Sequence, residues 1–147
     1  MKLALFDFDN TLFETPYEED PNYMDKPESL SIHKWKFNPI VETIKSYKKN
    51  LKEENTKVIL LTNRISDVYL ELKSLLEMHG MRFDEYQTII GVDGNRSKGK
   101  RLKTLIEKYG TVTEVEYWED KDKHINDVNR VMKSYPEIAL KINKVII

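Results

Sequence analysis

The chain has 147 residues, 39% of them hydrophobic, enough for one closed core and short for two, so a single domain spanning 1–147 is expected. Lys plus Arg number 24 and Asp plus Glu 25, so no global field points to nucleic acid or to a membrane, and any anion site has to be built locally. The absence of cysteine excludes disulfides, thiolate metal sites and a cysteine nucleophile. With no apolar stretch near the roughly 20 residues of a membrane span and a leading run too short for a signal peptide, the expectation is a cytoplasmic protein without a membrane partner, taken as a monomer.

Leu3-Ala4-Leu5-Phe6 is a continuous apolar run closed by Asp7, the pattern of a strand buried on both faces in a parallel sheet. Residues 12 to 36 have no clean period and hold Pro16, Pro21 and Pro27 among acidic and aromatic residues, which predicts a loop or small flap. Asn38-Pro39 offers an N-cap followed by proline in the first helical turn, with Ile40, Ile44, Tyr47 and Leu51 on one face. Val58-Ile59-Leu60-Leu61 repeats the buried-strand pattern and ends at Thr62-Asn63-Arg64. Val68, Leu72, Leu75 and Leu76 then mark a second helix closed near Gly80. Gln87 to Ile90 is a weaker strand candidate, followed by a turn-rich, basic stretch from Gly91 to Arg101 and a helix carrying Leu102, Leu105, Ile106 and Tyr109, ended by Gly110. Val115 to Trp118 alternates into another strand, the polar segment Glu119 to His124 follows, and Ile125, Val128 and Met132 mark a last helix. The apolar end from Ile138 to Ile147 is a candidate final strand.

Alternating strands and helices predict parallel pairing with right-handed crossovers, an α/β three-layer, Rossmann-like sandwich around a central parallel sheet. Ligands of such sheets sit at the carboxyl ends of the strands. Asp7 and Asp9, Thr62, and Glu119 with Asp120 each fall where a predicted strand ends. Two carboxylates two residues apart suit covalent phosphoryl transfer: one attacks phosphorus, and the other protonates the leaving oxygen and later deprotonates water. Asp7 is read as the nucleophile and Asp9 as the proton shuttle. The charge that develops calls for Mg²⁺, held by the acids including Glu119 and Asp120, and for Thr62 and a lysine on the phosphoryl oxygens.

Asp7-x-Asp9-x-Thr11, a threonine ending the second hydrophobic strand, a downstream lysine and an acidic pair after a fourth strand together resemble the four-motif pattern of the haloacid dehalogenase (HAD) superfamily. The resemblance covers almost the whole chain and implies a HAD-like phosphatase with a minimal cap or flap at about residues 12–36. It implies Asp7 as nucleophile, Asp9 as acid and base, Thr62, Asn63 and a lysine at the phosphate, and Asp7, Asp9, Asp120 and Glu119 around Mg²⁺. Leu12-Phe13-Glu14-Thr15-Pro16, the Trp35 segment, Leu61-Thr62-Asn63-Arg64 and Tyr117-Trp118-Glu119-Asp120 with His124 resemble, more narrowly, the Swiss Army Knife RNA repair-like subgroup and related polynucleotide 3′-phosphatase domains. Asn63 stands where a glycine is common in that subgroup. The lysine has two registers: Lys103, following Leu102 at a helix start, is favoured, and Lys98 of Lys98-Gly99 is the alternative, with Lys100 a third candidate.

Each feature alone has a plain structural explanation: aspartates cap and turn, Thr62 can cap a helix, and Glu119-Asp120 can open one. Their order and shared placement at strand ends carry the functional reading. His124 is expected to cap, pair with an acid or line the rim. Trp35 and Tyr23 are expected to pin the flap to the core rather than stack on a base. The basic run Arg96, Lys98, Lys100, Arg101 and Lys103 is either a guide for a phosphorylated polymer or a solvated loop, and His33 supports no metal site. The expected activity is phosphomonoester hydrolysis, with a nucleotide or nucleic-acid terminal phosphate as the substrate the resemblance implies. The alternatives are a sugar or metabolite phosphatase, a phosphate-binding protein without turnover, or a receiver-like signalling domain. Against the last, a receiver needs its acceptor aspartate at the end of a middle strand, where this chain has Thr62.

Overall fold

In the computed structural model, which describes residues 1–90 and 94–147, the first apolar run forms β1 (Lys2–Phe6). Beyond it come β2 (Phe13–Glu14), two one-turn helices α1 (Pro21–Met24) and α2 (Glu28–Ser31), a 3₁₀ turn over Lys34–Lys36 and β3 (Asn38–Pro39). The larger elements follow in alternation: α3 (Val41–Leu51), β4 (Thr56–Ile65), α4 (Tyr69–Met78), β5 (Glu85–Ile89), α5 (Lys98–Tyr109), β6 (Glu114–Glu119), α6 (Asp122–Met132) and β7 (Ala139–Lys144). Five strands pair in the order β5-β4-β1-β6-β7, all in parallel, so the strand with the two aspartates at its end lies in the middle.

The sheet is sandwiched because its strands are apolar on both sides. Ala4, Phe6, Val58 and Leu60 face a cluster with Tyr47 of α3 and Leu72, Leu75 and Leu76 of α4. Leu3, Leu5, Ile59 and Leu61 face the other way, against Leu102, Leu105 and Ile106 of α5 and Val128 and Met132 of α6. Phe6 and Trp118, on adjacent strands, stack with ring centroids 4.2 Å apart and planes 7° from parallel. On the opposite face α5 and α6 approach so closely that a Cβ on Gly99 would lie 2.6 Å from the carbonyl oxygen of Asp127. Gly110 ends α5 at φ 71, the left-handed conformation that glycine takes without a Cβ penalty.

The three-layer α/β architecture agrees with the expectation from the sequence, and the apolar tail supplies the edge strand β7. Other expectations are corrected. Asn38 and Pro39 do not start α3. They pair antiparallel with Glu14 and Phe13, the Ile40 amide donates to the Leu12 carbonyl at 2.8 Å, and Ile40 takes the N-cap position without a side-chain bond. Leu51 is 48% exposed rather than on the buried face. β4 does not stop at Thr62 but runs on through Ile65, with a register shift between Leu61 and Ile65, and a 3₁₀ turn (Ser66–Val68) separates it from α4. Thr62 therefore caps no helix. Of the turn-rich stretch expected from Gly91, residues 91–93 lie outside the described residues, and α5 begins at Lys98. Trp35 is 76% exposed and pins nothing to the core, whereas Tyr23 packs within the flap, edge-on to Tyr17 and hydrogen-bonded to His33 at 2.7 Å. No helix among the described residues is long and apolar enough to cross a membrane.

Candidate active site

The carboxyl ends of β1, β4 and β6 open into a cavity of about 1050 Å³ whose lining includes Asp7, Asp9, Thr62, Asn63, Arg64, Lys98, Glu119 and Asp120. After β1 the backbone turns sharply: the Phe8 carbonyl accepts from the amides of Thr11 and Leu12 at 3.3 and 3.1 Å. Asn10 takes φ 55, a conformation its short polar side chain tolerates. That turn brings Thr11 back under the first aspartate. Its hydroxyl lies 3.0 Å from Asp7 Oδ2 and 3.3 Å from Asp120 Oδ1, and it is fully buried.

Lys98, in the first turn of α5, is 1% exposed and bridges two acids, with Nζ donating to Asp7 Oδ1 at 2.8 Å and to Glu119 Oε1 at 2.6 Å. The start of α5 is fixed by its Ser97 cap, which accepts from the Lys100 amide, and by Asp127 of α6, whose Oδ2 accepts from Ser97 Oγ at 2.6 Å and from the Gly99 amide at 2.9 Å. Glu119 is wholly buried and held on every side: besides Lys98 it accepts from the Tyr117 hydroxyl and from the amides of Asp120 and Lys121 at 3.0 and 3.3 Å.

These contacts set the charges. Burial and then the Glu119 carboxylate push Asp7 well above the usual carboxylate range, against the pull of Lys98. Burial opposes the charge of Glu119, yet the Lys98 ammonium and the surrounding hydrogen bonds hold it below that range. Asp120 is pushed up to about 7 by burial and by Glu119. Asp7, Glu119 and Asp120 each offer a carboxylate oxygen, and these three atoms lie within 4.8 Å of one another. Glu119 already accepts four hydrogen bonds, so the oxygens with room for a hard divalent cation such as Mg²⁺ are those of Asp7 and Asp120, with Glu119 adding charge behind them.

Asp9, expected among the metal ligands, is not one of that trio. Its Oδ1 accepts from Arg64 Nη2 and the Thr15 hydroxyl, each at 2.7 Å, and its Oδ2 from Arg64 Nε at 3.0 Å, which leaves one Oδ2 lone pair for a proton. Lys103, the favoured phosphate lysine, is exposed on α5 and absent from the cavity lining. Lys100 is likewise exposed, and Lys98 alone of the three reaches Asp7. Thr62 and Asn63 line the cavity, braced from behind by Arg101, which donates to the Thr62 carbonyl at 2.9 Å and to Asn63 Oδ1 at 2.8 Å. Burial lowers Arg101 to about 10. The basic run is thus split between buried structural members and exposed ones such as Arg96. His124 lines the rim, as expected, and burial with the nearby Lys98 lowers it to about 4. Across the mouth the flap carboxylates Glu19 and Asp25 pair with Lys121 and, at 3.8 Å, with Arg96.

No protein-family model and no curated protein sequence matches the chain. Solved structures do match. Two are chains of Pnkp1/Rnl/Hen1 complexes, one of them described as an RNA repair complex, each 16% identical, with TM-scores of 0.69 and 0.68 over 98% of this chain. Another is the HAD domain of the effector protein Lem4 from Legionella pneumophila, 15% identical, with a TM-score of 0.66 over 97% of this chain and 84% of that one. The chain has the HAD fold. It spans 45% and 42% of the two complex chains it matches. The four sequence features that carried the resemblance come to one sheet edge, and of the candidate lysines Lys98 is the one that reaches Asp7.

Thr11, quoted in the motif without a role, and Arg64 and Tyr117, given none, are the site members that the sequence reading missed. Arg64 carried one signal, its place two residues beyond Thr62 at the end of a strand.

Proposed function

We propose that the chain is a Mg²⁺-dependent phosphomonoester hydrolase that works through an aspartyl phosphate on Asp7. The observation that carries this reading is the meeting of Asp7, Lys98 and the Glu119–Asp120 pair at the carboxyl end of the central strand, on a HAD fold. In the first step an Asp7 oxygen attacks phosphorus, the ester P–O bond breaks, and the proton carried by Asp9 goes to the leaving oxygen. In the second step water attacks the phosphorus of the aspartyl phosphate, its proton passes to Asp9, and the bond to Asp7 breaks to give inorganic phosphate. The Thr62 hydroxyl, Asn63 and the Lys98 ammonium hold the phosphoryl oxygens, and Thr11 keeps the Asp7 carboxyl turned toward the cavity. Asp7 and Asp120, with the Glu119 charge behind them, would hold Mg²⁺, which would supply neutralisation of the charge that builds on the transferring group.

For the substrate we propose a nucleotide or a nucleic-acid terminal phosphate. Support comes from the size of the cavity, from the cations Arg96, Lys123 and Arg130 in its lining, and from the likeness of fold to chains of an RNA repair complex. The test is phosphate release from p-nitrophenyl phosphate, nucleoside monophosphates, sugar phosphates and 3′- or 5′-phosphorylated oligonucleotides, with Asp7→Asn protein as the blank. The highest kcat/KM is expected on a nucleotide or an oligonucleotide end, and preference for sugar phosphates would replace that substrate class. EDTA is expected to stop turnover and added Mg²⁺ to restore it. Activity indifferent to both would remove the cation from the scheme.

A further inference from the structure

Asp9 is connected to the segment between residues 15 and 37 through one buried side chain. Arg64 is 1% exposed, and a guanidinium carries five N–H donors in a rigid plane and no acceptor. Two of its donors go to Asp9, as described above. The other three go to the flap: Nη2 donates to the Tyr17 hydroxyl, and Nη1 donates to the Met24 carbonyl at 3.2 Å and to Ser29 Oγ at 2.8 Å. No donor is left over. Ser29 is itself fully buried, and its own hydroxyl hydrogen is directed at the Lys26 carbonyl, 2.7 Å away, which leaves a lone pair facing Arg64.

Without the flap, Arg64 would lose three of the five acceptor atoms that set the plane of its guanidinium, and water would replace them without fixing that plane. The flap sets the guanidinium plane on one side, and the guanidinium sets the Asp9 carboxyl on the other. We infer that Tyr17 and Ser29 are positioning residues for the proton-transfer step: seated on Arg64, they fix its plane and, through it, the direction in which Asp9 presents its carboxyl to the leaving group. This inference rests on the reading of Asp9 as the acid and base of a phosphatase. It makes flap closure a condition for proton transfer, beyond any part the flap has in covering the cavity.

The test uses two substrates of nearly the same shape, p-nitrophenyl phosphate and phenyl phosphate. The leaving group of the second is the more basic and depends on a proton from Asp9. Tyr17→Phe and Ser29→Ala are each expected to lower kcat on phenyl phosphate about 10-fold, a fraction of the usual general-acid contribution, and to change p-nitrophenyl phosphate turnover less than about twofold, with KM unchanged for both. In an Asp9→Asn background the same substitutions should have no further effect on the ratio between the substrates. Equal losses on the two substrates in folded protein, or a further change in the ratio without Asp9, would reduce the clamp to a structural brace and overturn the inference alone. A wild-type chain that releases phosphate from neither substrate would overturn the phosphatase reading and the inference with it.

Discussion

Replacing Asp7 by asparagine is expected to end phosphate release while leaving the fold intact. The amide keeps the volume of the carboxyl but cannot form the aspartyl phosphate, so steady-state turnover should fall on the order of 10⁵-fold or more, the scale on which loss of a covalent nucleophile acts. The contacts of Asp7 can be kept: the asparagine oxygen can accept from Lys98, and the Thr11 hydroxyl, 3.0 Å away, can turn to accept from the amide. Burial and the Glu119 carboxylate already disfavour the charge on Asp7, so the substitution removes a repulsion from metal-free protein. In EDTA the variant should melt no lower than wild type, and Mg²⁺ should raise the wild-type midpoint more than that of the variant. Both parts are read from phosphate release and thermal melts with and without Mg²⁺. Wild-type turnover by the variant would refute the nucleophile, and an equal Mg²⁺ shift in both proteins would place the cation elsewhere.

Lys98→Met and Lys103→Met should behave as differently as two substitutions of one residue type can. Lys98 is the one ammonium bridging Asp7 and Glu119, which are 6% and 0% exposed. Removing one partner from a buried charge cluster costs roughly 3–5 kcal/mol, because the remaining charges are left unpaired away from water. Urea unfolding of Lys98→Met should show a loss of that size, together with loss of activity. Lys103 is exposed, so Lys103→Met should leave both stability and kcat/KM near wild type. A second substitution separates the two effects on Lys98: Glu119→Gln in the Lys98→Met chain removes the orphaned charge and should recover part of the stability without recovering turnover. Recovery of both would mean that Lys98 only balances Glu119 and takes no part at the phosphate.

The same pair of lysines marks where the sequence was legible and where it was not. β1 and β4 can be read directly because both of their faces are buried, which leaves unbroken apolar runs with the chemical residues beyond them. The period of α5, carried one turn back from Leu102, puts Lys98 on the buried face and Lys103 on the exposed one. The glycine and four cations between Arg96 and Arg101 hide this by reading as a turn, and a buried lysine has no local signature apart from the acids it meets across the fold. Asn38-Pro39 fails for a related reason. A polar residue followed by proline opens a helix or joins a short ribbon equally well, and what decides is Phe13-Glu14, far away in sequence. The flap escapes period analysis because its helices have four residues each. Arg64 is invisible as a clamp because three of the four residues it bonds lie in that unpatterned segment.

The stacked Phe6–Trp118 pair gives the molecule an optical handle on its own chemistry. The chain has two tryptophans, and they differ as much as two indoles can: Trp118 is 5% exposed and directly precedes Glu119 and Asp120, whereas Trp35 is 76% exposed on the flap. Emission should therefore divide into a blue, shielded component and a red one open to aqueous quenchers. In a Trp35→Phe chain the remaining fluorescence comes from a ring lying against the strand that ends in Asp7, so a titration with Mg²⁺ or with inorganic phosphate could be followed without any turnover.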